Sequence, residues 1–407
     1  MISCMEFVSV RQFGAKGDGI ADDTAAIQAA LDSGALRVEI PTGIYRVTAT
    51  LKVRSNTEIC AADTARVYLC GSTQKHRGDF LLTNADHEDG NVEITITGGV
   101  WDGNHSGKGN EKPDIYDENG YSGVALNFFN VKGLHLQNLV IANTVTYNLR
   151  MCRIEDFTIE NIGFLSDELG WNQDGLHFGG DCRHGVVKNI RALSKGQTND
   201  DMIALNADDY VLRVENRGKV CGDIEDISFE NIFAEDCHTV IRFLTETSAI
   251  RNIRFKNVFG GYRCNAINAD CGRYMRTPLF EEESDRPEGV GRIENVTIEN
   301  MTVYPTRGVE EQPLPAGVNE AELPARFLAG RHPGLRSAIV LESHADGLLI
   351  DNFCMTNRMN LPNPGAALHA RNLLGTAVVA DGEIHTLEKK EDSLLLETFT
   401  SLRVNKK

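Results

Sequence analysis

Long apolar runs, paired cysteines and a positive charge balance are all missing from this 407-residue sequence. No run approaches the roughly 20 apolar residues that span a bilayer, and the opening MISCMEFVSVRQFG lacks a secretory signal. The ten cysteines include no C-x-x-C pair, which argues against a zinc module and favours free, buried thiols. The net charge of -17 argues against a nucleic-acid partner. We therefore expect a soluble, cytoplasmic protein with no membrane partner.

What the sequence does contain is a repeat of alternating apolar residues that ends in asparagine. The intervals between successive asparagines are 23, 28, 42, 26, 43 and 52 residues; three are one unit long, two are close to double a unit, and the last contains an insertion. Alternation of period two indicates a strand with one buried face, and asparagine tolerates the left-handed conformation that closes a turn. The repeats end at Asn138, Asn161, Asn189, Asn231, Asn257, Asn300 and Asn352.

Short strands closed by asparagine at this spacing predict an all-β fold, a right-handed parallel β-helix in which like residues of successive coils stack in ladders. A β-sandwich with coincidental spacing is the alternative. We expect a single domain over 1–407, with an N-terminal cap region at 1–45 and a long loop insertion at 306–336. Within the cap region, DDTAAIQAALDSG predicts a short amphipathic helix with Asp22 or Asp23 as its N-cap.

Two acidic clusters, Asn172-Gln173-Asp174 and Asn199-Asp200-Asp201, each run into an apolar stretch. Asp174 and Asp200 are 26 residues apart, about one coil, so we expect them on neighbouring coils spaced by about 4.8 Å. Crowded carboxylates repel one another, which raises the pKa of at least one toward that of a proton donor while a neighbour stays ionised as a base. Aspartates that only close turns are the alternative.

Two segments resemble those of a known family. The stretch FGAKGDGIADDTAAIQAAL is similar to the N-terminal signature of pectin-degrading β-helix enzymes, and NQDG followed by NDDMIALN resembles the acidic motifs of glycoside hydrolase family 28, the polygalacturonases. The resemblance covers roughly residues 7–270. It implies an inverting hydrolase in which Asp200 is the general acid, while Asp174 and Asp201 position and activate the water. Such a mechanism separates its carboxyl groups by about 6.5–9.5 Å.

The sequence departs from that family at two places. The family's Gly-His-Gly would fall in YVLRVENRGKVCGD, which has no histidine, and Leu244 stands where its Arg-Ile-Lys motif has lysine. Asp208 and Asp209 are expected to close a turn, and Arg263 is a further candidate for a cationic grip on the sugar. The expected substrate-binding residues are Asn172, His177, His238, Arg242 and Arg273.

The predicted function is inverting hydrolysis of uronate-containing or related plant oligosaccharides, with no metal and no cofactor. Exo-action on short oligosaccharides is expected because long insertions at 103–120 and 306–336 could wall off one end of a groove. A polysaccharide lyase or epimerase on the same solenoid, with the crowded acids as calcium ligands, is one alternative. A non-catalytic carbohydrate-binding β-helix is the other.

Overall fold

The computed structural model is almost entirely β in the residues it describes. The chain forms two compact units: Met1–Ser194 with Tyr210–Cys221, and Lys195–Asp209 with Gly222–Lys407. The expectation of one domain over 1–407 stays a prediction. The described residues are 7–70, 80–105, 122–170, 172–209, 216, 218–271, 291–306, 337–356, 358–359, 366–385, 394–396 and 399–406.

The first unit is a stack of parallel strands in which each coil lies in register on the next. Leu134, for example, pairs with Ile94 on one side and with Phe157 on the other, and all three side chains are buried. A 3-10 helix at Val10–Phe13 and an α-helix, α1, at Thr24–Leu31 lie near its start. Its strands are β1 (Phe7–Ser9), β2 (Asp18–Asp22), β3 (Arg37–Ile40), β4 (Ile44–Val47), β5 (Leu51–Val53), β6 (Thr57–Ala61), β7 (Arg66–Leu69), β8 (Leu82–Asn84), β9 (Asn91–Thr97), β10 (Val100–Asp102), β11 (Leu126–Gln137), β12 (Val140–Ala142), β13 (Leu149–Leu165), β14 (Leu176–Phe178) and β15 (Cys182–Ala192).

The second unit repeats this arrangement with longer strands. The rings of Phe229 and Phe255 stack face to face, with centroids 4.3 Å apart and planes 8° from parallel. The column that they begin comprises Phe229, Phe255, Ile298 and Ile350. The strands of this unit are β16 (Asp201–Asn206), β17 (Ile224–Thr245), β18 (Ala249–Cys271), β19 (Arg292–Pro305), β20 (Ser337–Thr356), β21 (Ala366–His385), β22 (Leu394–Leu396) and β23 (Phe399–Lys406).

The repeated asparagines bend the chain and bond to one another. Those of the first unit, at 138, 161 and 189, have left-handed φ angles of 59°, 58° and 56°. The side-chain amides of Asn161 and Asn189 each donate to the Oδ1 atom of the asparagine one coil earlier, at 2.9 Å in both pairs. In the second unit the same bonds, at 3.1, 3.2 and 2.8 Å, link Asn231, Asn257, Asn300 and Asn352. Asparagine therefore serves both the bend and the stacking, which confirms the predicted repeat.

Two details of the repeat differ from the expectation. The strands do not end at the asparagines: β13 continues through Asn161, because the backbone on both sides of the bend keeps its pairing with neighbouring coils. The expectation that the 43-residue interval is close to two units is wrong, since Phe255 pairs directly with Ile298 and the interval is a single coil. The extra residues fall between β18 and β19, where 272–290 lie outside the described part of the chain.

The N-terminal helix covers a strand edge, in keeping with the expected cap. Three apolar side chains of α1 are buried, and the Gln28 side chain bonds both the N–H and the carbonyl of Lys52 on β5, at 2.9 and 3.1 Å. Asp23 is the N-cap residue, although the carboxylate that accepts from the N–H of Thr24, at 3.1 Å, is that of Asp22. No helix within the described ranges has both the length and the apolar composition of a membrane span.

The cysteines only partly follow the expectation of buried thiols. Cys152, Cys182 and Cys237 are free and buried, whereas Cys221 is exposed. Burial raises the pKa of the Cys152 thiol and, much more strongly, that of Cys182. Those two thiols therefore act as small apolar groups of the core.

Replacing Ile227 with aspartate should destabilise the second unit severely. Ile227 is 1% exposed and stacks on Ile253 of the next coil, so the aspartate would bury an unpaired charge. We expect urea denaturation to give a free energy of unfolding lower by roughly 4 kcal/mol. The matched control is Ser228→Asp, one residue along and half-buried, which should change it by less than about 0.5 kcal/mol. Equal losses in the two variants would contradict the buried ladder.

Candidate active site

The second acidic cluster lies at the start of β16, where the chain enters the core of the second unit. Asp201 is the first residue of that strand and is 9% exposed, whereas 28% of the Asp200 side chain is exposed. One carboxylate oxygen of each lies within 4.8 Å of the other and of a ring nitrogen of His238. Two neighbouring acids thus form one polar cluster, with one of them closed off from solvent and the other open to it.

Burial raises the pKa of Asp201 well above its usual value, and the negative charge of Asp200 raises it further. Arg242, which is 7% exposed, and the Thr239 hydroxyl act in the opposite direction without cancelling the effect. A buried carboxylate loses its hydration, and a neighbouring negative charge repels it, so both effects favour the protonated form. The crowding expected from the sequence is therefore found between Asp200 and Asp201, and it favours a proton on Asp201.

His238 lies against the accessible acid. Its Nδ1 atom is 3.4 Å from Oδ1 of Asp200 and 3.1 Å from the Thr239 hydroxyl, and its backbone N–H donates to the Thr198 carbonyl at 3.0 Å. Burial lowers the pKa of His238, although the charge of Asp200 opposes this shift. A neutral imidazole is favoured as a result, and it can bond to the acid or to a hydroxyl group without adding charge.

A buried arginine holds the turn that carries these acids. Arg263 is 4% exposed, and its Nη2 atom donates to Oδ1 of Asn199 at 2.7 Å. The same atom donates to the carbonyls of Gly196 and Thr198, at 3.3 Å each. The sequence suggested Arg263 as a grip on the sugar; these contacts show it supporting the turn that precedes β16.

Asp208 closes a turn, as the sequence predicted. Its carboxylate accepts from the backbone N–H groups of Glu246, Thr247 and Ser248, at 2.7 Å each, and from the Ser248 hydroxyl at 2.6 Å. Burial opposes ionisation of Asp208, but these bonds outweigh it and hold its pKa below the usual value. An acid held in this way is part of the framework of the second unit.

The first acidic cluster belongs to the first unit and precedes β14. Asp174 is 2% exposed, and His177, within β14, is fully buried. The Oδ2 atom of Asp174 is 2.5 Å from Nδ1 of His177, and the side-chain amide and backbone N–H of Asn148 donate to the Asp174 carbonyl at 2.8 and 2.9 Å. Asn172 is half-buried and has a left-handed φ of 51°. The sequence placed His177 beside an acid, and that acid is Asp174.

The predicted site residues are distributed over both units. Arg273 lies outside the described residues. The first unit contains Asn172, Asp174 and His177. The second contains Asp200, Asp201, His238 and Arg242.

Sequence reasoning missed one contact of the first unit. The Nζ atom of Lys219 is 2.6 Å from Nε2 of His177. Lys219 lies within YVLRVENRGKVCGD, the segment that lacks the histidine of the family motif. A lysine in the segment where the family motif would have histidine is the sequence signal that could have identified Lys219.

The cluster of the second unit could also hold a cation. Asp200, Asp201 and His238 each offer one ligand atom, all within 4.8 Å of one another. Carboxylate oxygens suit calcium, magnesium and manganese, and imidazole suits transition metals. Three protein ligands fall short of the six to eight oxygens that calcium takes, so water or substrate would complete the shell.

One family model and several relatives match a short part of the chain. Residues 7–104 match the family described as rhamnogalacturonase A/epimerase, pectate lyase-like. A 98-residue segment is 35% identical to the pre-neck appendage protein of Bacillus phage phi29, covering 24% of this chain and 11% of that protein. Alginate lyase 7 of Azotobacter vinelandii is 37% identical over 110 residues, covering 23% of this chain and 13% of that protein. The chain thus spans only a small part of the length of these relatives.

Solved structures match nearly the whole chain. The exopolygalacturonase of Thermotoga maritima superposes with a TM-score of 0.58 at 14% identity, over 91% of each chain. PfbA, a surface adhesin of Streptococcus pneumoniae, superposes with a TM-score of 0.57 at 15% identity, over 97% of this chain and 93% of that one. Identities this low establish the fold alone. The chain has the right-handed parallel β-helix fold, as the asparagine repeat predicted.

Replacing Asp201 with asparagine should make the protein more stable at alkaline pH. Because burial raises its pKa in the folded state, Asp201 binds its proton more tightly there than in the unfolded chain. The stability that this proton contributes is fully present below the unfolded pKa of about 3.9 and is lost as the pH rises through the raised pKa. Asparagine resembles the protonated acid, so the melting temperature of the variant should exceed that of the wild type by an amount that grows as the pH rises above about 3.9 and levels off, at a few degrees, above the raised pKa.

The matched control for this experiment is Asp226→Asn, at an exposed carboxylate of β17 in the same unit. Its melting temperature should stay close to that of the wild type at every pH. A difference between Asp201→Asn and wild type that is constant across pH, or that grows toward acid pH, would contradict the raised pKa.

Proposed function

We propose that the protein is a glycoside hydrolase of the polygalacturonase type that acts on uronate-containing or related plant oligosaccharides. The observation that carries the proposal is the acid pair of the second unit, in which buried Asp201 has a raised pKa and Asp200 is open to solvent. Departure of a glycosidic oxygen requires an acid that still holds a proton near neutral pH. The likeness of the whole fold to an exopolygalacturonase supports the same reading.

Asp200 is proposed as the acid that reaches the leaving oxygen, because it is the accessible member of the pair. We propose that the proton that burial favours on Asp201 reaches the leaving oxygen through Asp200, since the two carboxyl groups are neighbours and Asp200 is the one open to solvent. Their nearest oxygens lie within 4.8 Å, closer than the about 6.5–9.5 Å that admits a water between acid and base. An inverting mechanism therefore needs a third carboxylate, and Asp174 is proposed for that role from the family resemblance.

An acidic sugar would meet a local cation here in spite of the net charge of -17. Arg242 supplies positive charge beside the pair, and 32% of the His238 side chain is exposed to meet a sugar hydroxyl. Both are proposed substrate contacts, together with Asn172 of the first unit. The buried His177, with both ring nitrogens engaged, is proposed to act on Asp174 instead. Exo-action stays a prediction, because the insertions expected to shape the groove fall almost wholly outside the described residues.

A lyase or epimerase that uses a cation is the second candidate. The three ligand atoms of Asp200, Asp201 and His238 favour it, because a cation there could neutralise a uronate carboxylate before proton abstraction. The sequence likeness of one segment to an alginate lyase points the same way. A chelator separates the two candidates: it would abolish a cation-dependent elimination and leave acid-catalysed hydrolysis unchanged.

Asp200→Asn should lower kcat by roughly 10²- to 10⁴-fold with an unchanged melting temperature, because it removes the proton donor and keeps the shape of the side chain. The measurement is the release of reducing ends from short oligogalacturonides. Asp226→Asn is the matched control and should retain wild-type turnover. Near-normal activity of Asp200→Asn would contradict the acid assignment. Ultraviolet-absorbing unsaturated products, together with loss of activity on chelation, would favour the lyase.

A further inference from the structure

Three side chains of the first unit form a line that the proposed reaction does not by itself require. The Oδ2 atom of Asp174 lies 2.5 Å from Nδ1 of His177, and Nε2 of the same ring lies 2.6 Å from Nζ of Lys219. Asp174 is 2% exposed and His177 is fully buried, while Lys219 is half-buried. Both ring nitrogens of a buried histidine are therefore engaged, one by a carboxylate and the other by an ammonium group.

The chemistry of the two neighbours determines where the imidazole proton lies. An ammonium group has three donors and no acceptor, so Nε2 of His177 must accept from Lys219. A neutral imidazole carries its one proton on the other nitrogen, so Nδ1 donates to Asp174. A doubly protonated ring would direct an N–H group at the ammonium. A ring protonated only on Nε2 would do the same and leave Nδ1 facing the carboxylate without a proton.

The backbone around Lys219 is tied to the coil that carries His177. The carbonyl of Val220 accepts from the N–H of Gly180 at 3.1 Å, and the N–H of Val220 donates to Sγ of Cys152 at 3.3 Å. The absence of a side chain at Gly179 leaves room for the Lys219 side chain, since a Cβ atom on that glycine would lie 3.2 Å from Cδ of Lys219. The ammonium group thus reaches the imidazole from a residue whose neighbour, Val220, is held by hydrogen bonds to Gly180 and Cys152.

A tyrosine fixes the plane of the histidine ring. Tyr147 stacks on His177 with centroids 4.0 Å apart and planes 15° from parallel, and its hydroxyl donates to Oδ1 of Asn216 at 2.7 Å. The Lys219 ammonium lies 5.8 Å from the centroid of the same tyrosine ring. The residues that orient the His177 ring and determine its tautomer, Tyr147, Asp174 and Lys219, therefore all belong to the first unit. Arg150, the register partner of His177 on β13, is a further charged residue beside it.

We infer that Lys219 is a positioning residue: it fixes the neutral, Nδ1-protonated form of His177 and, through that ring, holds Asp174 as an oriented carboxylate. The consequence for catalysis rests on the proposed function. A carboxylate that already accepts from His177 is suited to activate a water and unsuited to donate a proton, which separates the task of Asp174 from that of Asp200. The lysine supplying this control comes from the segment that lacks the family's histidine.

The first test reads the ring nitrogens directly, by ¹⁵N NMR of protein labelled at histidine, with His177 assigned by the signals lost in His177→Gln. In the wild type at neutral pH, Nδ1 should show a bound proton and Nε2 should show none. In Lys219→Met, which keeps an unbranched apolar stem, the Nε2 signal should move toward the protonated form. Lys219→Arg keeps the cation and should stay close to the wild type, as should Lys52→Met at an exposed lysine of the same unit.

The second test reads the reaction. Outer partners that orient metal-ligating histidines are typically worth about 10- to 100-fold in activity, and we expect a comparable fall in kcat for Lys219→Met, with little change in KM. Lys219→Arg, which keeps the positive charge, should retain much of the wild-type kcat.

A wild-type ring protonated on Nε2, or an unchanged His177 spectrum in Lys219→Met, would overturn the inference, and the wild-type spectrum decides even if a variant fails to fold. The NMR result holds or fails without any substrate. Absence of carbohydrate turnover combined with the expected spectra would therefore count against the hydrolase proposal alone.

Discussion

In-register stacking of parallel coils is the constraint on which the rest of the structure depends. Each side chain of one coil lies on its counterpart in the next, about one strand spacing away. Apolar residues then form core columns such as that of Phe229 and Phe255, and asparagines form external ladders. The same register places Thr239 beside Asp201, where its hydroxyl bonds to the acid. Similar residues recur at equivalent positions because each contacts its counterpart in the next coil. Polar side chains that share such a column can form a site.

The protonation of the acid pair is set by opposing effects of its surroundings. Burial and the charge of Asp200 favour a protonated Asp201, while Arg242 opposes that shift and keeps it from being larger. Arg263 acts on the backbone of the preceding turn instead, through Asn199 and two carbonyl groups. Arg242 thus adjusts the protonation of Asp201, while Arg263 supports the preceding turn and, by its charge, also lowers the pKa of His238.

The repeat made the fold predictable, because period-two alternation and a left-handed asparagine are both local properties of the sequence. Strand length was not predictable from the sequence. Whether β13 keeps its backbone pairing through Asn161 depends on the neighbouring strands β11 and β15. The 43-residue interval misled for a related reason: sequence spacing does not distinguish two coils from one coil with an excursion. Among site residues, Asp200 and Asp201 were recognisable by adjacency. Lys219 was not, because its contact with His177 joins residues 42 positions apart through a segment with no repeat.

The stereochemistry of the released sugar tests the central proposal most directly. Proton NMR of the reducing end, recorded during turnover of a short oligogalacturonide and before mutarotation, reports whether the anomeric configuration is inverted. A proton donor at Asp200 and a separate water-activating carboxylate predict inversion from the first time points. Retained configuration would require a covalent intermediate on a nearby carboxylate and would contradict the assignment of Asp200, Asp201 and Asp174.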